Sequence, residues 1–443
     1  AISHLPESVE LSSLSISTDY RLTEAGMMSI GKLEGLETLH VSGVVSDAGM
    51  EQLEPLRKLA HLHLANPWIT DSGVAMVSQF AGLASLTLNF TIDYARFTDA
   101  GLVGLRSLPH LSELELFGTC TSDEGVAHIG ALVGLESLGL ARSRGTITPA
   151  AILQLHGLVN LRRLELSETE ITDAGLAQLA APGRIERLGL SGTGIADAGL
   201  AHLLALTRLY DLDLSRTRIT DSGIAFLGRL PNLESLDLGC TLVTDKGLAG
   251  LEQLAKLRWL SLSAVLKGHK GSPPGAHFTD AGLANLQALT NLTSLDLYDT
   301  PVSDKGVASI SRLHGLKSLC LSRTRISDDG IQCIAGMASL TRLHLDVTQI
   351  TDAALAHLSE LPALKELSLD CTKITDAGLK HIGRMTSLKR LSIWGASGVS
   401  EAGIDYLRGL KVWESLMLPD NVHRLTGGFG SVWAGRRHRP ARR

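Results

Sequence analysis

Carboxylates two residues apart are the first groups in this chain whose type and spacing invite chemistry: Glu113 with Glu115, and Asp211 with Asp213. On a strand that spacing puts both side chains on one face, as general acid–base work or half of a divalent-cation site requires. His61 and His63 repeat the spacing and suit half of a zinc site. A catalytic pair also needs a water-excluding pocket, and a metal needs a third ligand; the residues around these pairs signal neither. The expectation is no catalytic residue, no metal site, no cofactor and no enzymatic activity. Five cysteines, Cys120, Cys240, Cys320, Cys333 and Cys371, are an odd number without a C-x-x-C pair and read as reduced. Cys240 and Cys371 directly precede a Thr and read as small residues in a loop.

The elements that hold these residues follow from a repeated phrase. Thr220-Asp221-Ser222-Gly223 recurs at Thr244-Asp245-Lys246-Gly247, 24 residues on, and the pattern runs in sixteen copies from Thr23 to Ser400. A fixed period of this length is the mark of a solenoid, whose units bury their apolar faces only by stacking. Counted from the Thr at 220, apolar residues fall at Ile219, Ile224, Leu227, Leu230, Leu233, Leu236 and Leu238. The run of spacings of three marks a helix, and the closing spacing of two marks a strand. The first residue of the phrase is Thr in ten copies, Ser in five and Ala in one, and the second is Asp in thirteen, Glu in two and Pro once. That combination predicts a hydroxyl N-cap with a carboxylate in the first helical turn, favoured by the helix dipole. Pro149 after Thr148 agrees, since Pro is favoured at the first helical position; in Ala196-Asp197 the Asp is expected to take over the cap. The fourth residue is Gly in fourteen copies and Ala in two, Ala151 and Ala354, so a small residue is required where one helix leans on the next. Three residues before the cap nine copies carry Thr, among them Thr169, Thr217 and Thr372, and their hydroxyls are expected to bond to the loop backbone of the adjacent repeat as a ladder.

The phrase Leu-x-x-Leu-x-Leu-x-x-Thr-x-Ile-Thr-Asp-x-Gly-Leu resembles a leucine-rich repeat. It is similar to the cysteine-containing subclass of F-box substrate receptors, with Thr in place of Cys, and to bacterial repeats of 24 residues. The resemblance implies an α/β fold, a right-handed, curved solenoid with a parallel sheet on the concave face and short helices on the convex face. It covers residues 1–420, with the N-terminus expected to be truncated, and leaves 421–443 as a basic, disordered tail. Seventeen strand signals at about 4.8 Å each predict a sheet arc of roughly 80 Å, room for a protein-sized partner. The function it implies is non-enzymatic protein binding. The alternatives are the substrate arm of an F-box-type ubiquitin ligase or secreted effector, and the regulatory region of a kinase fusion. Gly427-Gly428-Phe429-Gly430-Ser431-Val432 resembles the glycine-rich loop of kinases, but the motif's first glycine falls on Leu425, and eleven residues after Val432 leave no room for the catalytic strands.

Residues alternating with the strand leucines are expected on the concave face. They are Glu113, Glu115, Phe117, Glu165, Asp211, Asp213, Asp237, Trp259, Asp296, Tyr298, His344, Asp346, Asp370 and Trp394. Acid predominates, and the aromatic side chains are read as exposed contact residues for a partner with basic features. Insertions after the strands at 89–96, 142–145 and 266–277 lie on one edge; Lys267, His269 and Lys270 in the longest are a second candidate contact. A formal charge of −5 argues against nucleic acid, and no run of 18 apolar residues spans a membrane. The absence of disulfide caps points to the cytoplasm, with secretion left open, and to a monomer as the simplest state.

Overall fold

The computed structural model describes residues 11–90, 96–143, 146–179, 184–264, 277–410, 414–419 and 422. The candidate loop residues Lys267, His269 and Lys270, the glycine-rich phrase and the basic tail lie outside them. The chain forms two compact units, Ala1–Arg218 and Ile219–Arg443. In the first, nine parallel strands run from Ser13–Arg21 to Asp211–Asp213, each pairing with its successor in the chain. In the second, eight strands of three residues run in the same manner from Ser235–Asp237 to Ser415–Met417. Register is kept leucine to leucine, as in Leu295↔Leu319 and Leu319↔Leu343. Between strands lies a short α-helix such as Asp352–Leu358, tightened in several copies by a 3-10 turn. Among the described residues, no helix is long and apolar enough to cross a membrane.

The core is the predicted leucine column. Ile219, Ile224, Leu227, Leu230, Leu233, Leu236 and Leu238 are all buried. Each such side chain contributes about 1.5–3 kcal/mol. That attraction has no direction, so stacking alone does not set how one repeat sits on the next.

Direction comes from the Asp of the repeated phrase, which does more than complement a helix dipole. Its carboxylate crosses to the following repeat. Asp352 Oδ1 accepts from the Thr375 backbone N–H at 2.7 Å, and Oδ2 from the Thr375 hydroxyl at 2.6 Å. The same clamp joins Asp47 to Thr70, Asp71 to Thr98, Asp123 to Thr148, Asp221 to Thr244 and Asp304 to Ser327. The Thr hydroxyl meanwhile accepts from the N–H two residues on, at 3.3 Å for Thr375 and Ala377, so the predicted cap is present. Where the cap is Ser303, Ser327 or Ser400, the hydroxyl makes no cap bond and donates only to the preceding Asp. Ala196 is the exception that isolates the backbone half. Its N–H still reaches Asp173 at 2.8 Å, but Asp197 does not take over the cap as expected.

Glycine at the fourth position makes room for this clamp. A Cβ at Gly73, Gly306, Gly330 or Gly378 would collide with the carboxylate of the preceding repeat's Asp. Behind Pro149, which has no carboxylate, the nearest atoms to a Cβ at Gly175 belong to Ile171 and Pro149, none closer than 3.0 Å. Ala354 keeps the Asp328–Thr351 bonds at 2.7 and 2.6 Å, so one methyl is accommodated.

The Thr ladder is corrected. Thr169, Thr193, Thr217, Thr241, Thr300, Thr324, Thr348 and Thr372 donate to the carbonyl of the leucine three residues earlier in their own repeat, as in Thr372 Oγ1 to Leu369 O at 2.6 Å. They close a turn at the strand's end instead of joining repeats. The residue just before the Thr is left-handed: φ is +58° at Glu168, +59° at Arg216, +54° at Cys240, +56° at Val347 and +55° at Cys371. Each costs about 1–2 kcal/mol outside glycine. Cys240 and Cys371 lie in this loop, as expected, but since Arg, Glu and Val stand there as well, the position does not select small side chains.

Asp352→Ala is expected to destabilise the chain by about 1–3 kcal/mol, because two donors of Thr375 lose their acceptor. Asp405→Ala, which removes only an exposed pair with Arg408, should change stability by less than about 0.5 kcal/mol. Urea unfolding of the two variants checks the contrast.

Candidate functional site

The strand face of each unit carries the residues singled out above. In the first unit Glu115, Gly139, Glu165, Gly189 and Asp213 stand in one row across neighbouring strands. Glu115 accepts from the Ser137 hydroxyl at 3.3 Å, and burial pushes its carboxyl above the usual range. Glu165 Oε1 accepts from the Ser167 N–H at 2.9 Å and Asp213 Oδ1 from the Ser215 N–H at 2.8 Å. Asp211 lies 4.0 Å from Arg187, Glu113 is exposed, and Phe117 is covered by the Arg142 guanidinium at 5.3 Å. The carboxylates at 113 and 115, and at 211 and 213, share a strand face as expected.

In the second unit the aspartates repeat one local pattern. Asp237 accepts from the Gly239 N–H at 2.8 Å and Asp296 from the Tyr298 N–H at 2.9 Å, each fastening its own strand end. Asp346 and Asp370 reach one repeat further. Asp346 accepts from the Asp370 N–H at 2.8 Å and Asp370 from the Trp394 N–H at 2.7 Å. Burial raises the Asp370 proton affinity, with the Ser392 hydroxyl bond at 2.5 Å opposing it. His344 lies 3.3 Å from Glu366, which pairs with Arg390 at 2.7 Å, and Arg390 continues to Glu414 at 2.6 Å. Partial burial would raise the Glu366 pKa, but bonds from Arg390 and His344 hold it below the usual range. Cys320 stands in the row between Asp296 and His344, its thiol pushed up to about 12 by burial and by Asp296. It is a neutral group there.

The aromatic reading needs amendment. Trp259 and Tyr298 are half-buried, and burial raises the Tyr298 pKa. Trp394 alone of the three is exposed, at 40%. Among the described residues no three His, Cys, Asp or Glu side chains are grouped to hold a metal.

Several features escaped the sequence reading. Glu168 bridges Arg142 at 2.9 Å and Arg216 at 2.8 Å. His40 and His63 stack with ring centroids 4.0 Å apart and planes 7° from parallel. Both stand at one repeat position in register, a signal present in the sequence but masked by the nearer pair His61 and His63.

Family models described as leucine-rich repeat match residues 207–264 and, separately, 158–180, 288–311, 314–335 and 361–383. The chain is a leucine-rich-repeat protein. Its solved structural neighbours include an internalin (inlF) from Listeria monocytogenes, at 22% identity and a TM-score of 0.50, covering 71% of this chain and 82% of that one. An internalin C2 from the same organism matches at 23% identity and a TM-score of 0.38, over 50% of this chain and 83% of that one. The ectodomain of the plant receptor kinase GASSHO1/SCHENGEN3 from Arabidopsis thaliana matches at 17% identity and a TM-score of 0.36, over 88% and 57%. At these identities the first likeness concerns the fold alone, and the other two support no argument. No curated protein matches the leucine-rich-repeat chain.

Burial, and then the neighbouring His40, hold His63 below the usual imidazole pKa. The unfolded chain therefore binds the more protons in mild acid, so stability starts to fall as pH drops below about 6.5 and goes on falling until pH passes the lowered native value. His63→Gln is expected to flatten the change in thermal unfolding of the first unit between about pH 7 and about pH 5. Calorimetry at both values checks it.

Proposed function

We propose that this leucine-rich-repeat chain is a non-enzymatic protein-binding scaffold whose strand faces and strand-end edges meet the partner. The observation that carries the reading is Trp394, 40% exposed in a chain whose repeat-core residues are buried, with its backbone N–H fixed by Asp370. An indole left in water contributes little to folding, whereas tryptophan is a frequent anchor of protein interfaces. Val347, 48% exposed, belongs to the same strand-end edge two repeats earlier. The backbone around both is set before any partner arrives, which lowers the entropy lost on binding.

The carboxylates support this reading over catalysis. Asp237, Asp296, Asp346 and Asp370 each spend an oxygen on a backbone N–H, which fixes them as acceptors while leaving their charge on the face. A partner with basic features suits that charge.

The test is quantitative capture from source-cell lysate on immobilised intact chain and on Trp394→Ala. A protein retained by the intact chain should fall at least about tenfold on the variant, as loss of an interface anchor requires. Thermal unfolding should be unchanged. Equal retention of every captured protein contradicts the assignment of Trp394 as the anchor.

A further inference from the structure

The strand face of the first unit holds a depression of about 90 Å³ lined by charges of both signs. Arg163, Arg187 and Asp211 are register partners in one row, and Glu165, Gly189 and Asp213 in the row two residues further along the strands. The rows are about 6.6 Å apart. Gly189 leaves the middle of the second row without a side chain. The Glu165 carboxylate leans across that gap, where a Cβ would collide with it.

Glu165, Asp213 and Arg187 are held in place by bonds to the protein. The Ser167 N–H holds Glu165 Oε1, and the Ser215 N–H holds Asp213 Oδ1. The second oxygen of each accepts no hydrogen bond among the described residues. Arg187 donates to the Tyr210 hydroxyl at 2.5 Å, lies over its ring at 5.3 Å and sits 4.0 Å from Asp211. Arg163 is exposed beside it in the row.

Such an arrangement discriminates by charge pattern. A lone anion at the arginines meets the field of Glu165 and Asp213 one row away, and a lone cation at those carboxylates meets the arginines. A ligand with both charges at the row spacing satisfies both rows. Side chains two apart in an extended peptide share one face at that distance. We propose that this depression recognises an extended protein segment with an acidic and a basic side chain two residues apart, the acid on Arg163 and Arg187, the base on Glu165 and Asp213. The proposal rests on the reading of the strand faces as protein-binding surfaces and adds the chemistry of what one of them takes.

The probes are N-acetylated, C-amidated Asp-Ala-Lys and its reverse, Lys-Ala-Asp, titrated at millimolar concentrations into the full isotope-labelled chain while the Gly189 amide resonance is followed. One of the two should shift that resonance in a saturable way. Replacing its Asp by Asn or its Lys by Gln should weaken binding about fivefold each, the scale of a part-exposed ion pair. Glu165→Gln should weaken it similarly without altering the fold, and Gly189→Ala should abolish it by filling the gap. No saturable shift, equal binding of the singly charged peptides, or undiminished binding to Glu165→Gln overturns the proposal. Those results with Trp394-dependent capture intact defeat the depression alone; loss of both defeats the binding reading itself.

Discussion

Most repeats depend on a carboxylate that belongs to the repeat before them. α-Helices of four to eight residues, such as Asp197–Leu200 and Glu24–Gly31, are too short to persist alone, and strands of three residues hold no register of their own. Stacked leucines supply the attraction, but a leucine column tolerates small slides and rotations. The Asp clamp removes that freedom: Asp304 takes both the N–H and the hydroxyl of Ser327, so helix start is tied to helix start. Glycine at Gly330 follows from the same constraint, since a Cβ there would occupy the space of the Asp304 carboxylate.

The strand end is organised by a second local device, and the two together decide what is left for function. Thr348 and Thr372 turn their hydroxyls back onto their own strands, holding Val347 and Cys371 in left-handed backbone. This repeated strain is offset by the turn it permits, which carries the chain from sheet to helix in few residues. On the strand face, Asp346 and Asp370 bind backbone N–H groups of the following repeat. Most polar groups that first suggest a reactive surface are thereby committed to architecture. What remains is a small set: the Trp394 ring, the outer oxygens of Glu165 and Asp213, and arginines such as Arg163.

Much of this was legible in the chain. The spacing from Ile219 to Leu238 specified helix, turn, strand and buried column, and Thr375 caps its helix as its type predicts. Spacing along one chain does not distinguish a carbonyl three residues back from one in the next repeat, so it does not identify the partner of the strand-end Thr. The chemistry of the Asp is evident in the sequence, but the direction of its side chain depends on where the neighbouring repeat sits. The degree to which Trp259 and Tyr298 are covered is set by neighbours on other strands. Sequence periodicity carries no such information.

The central claim is that the Asp-to-cap bond couples adjacent repeats, and a double-mutant cycle tests it most directly. Unfolding free energies of the intact chain, Asp304→Ala, Ser327→Ala and the double variant isolate the coupling of two side chains that meet at 2.6 Å. The account predicts a coupling of about 1 kcal/mol, in the range of directly bonded pairs. Additive effects, with no coupling beyond error, would contradict it and leave the leucine column and the strand ladder to link the repeats.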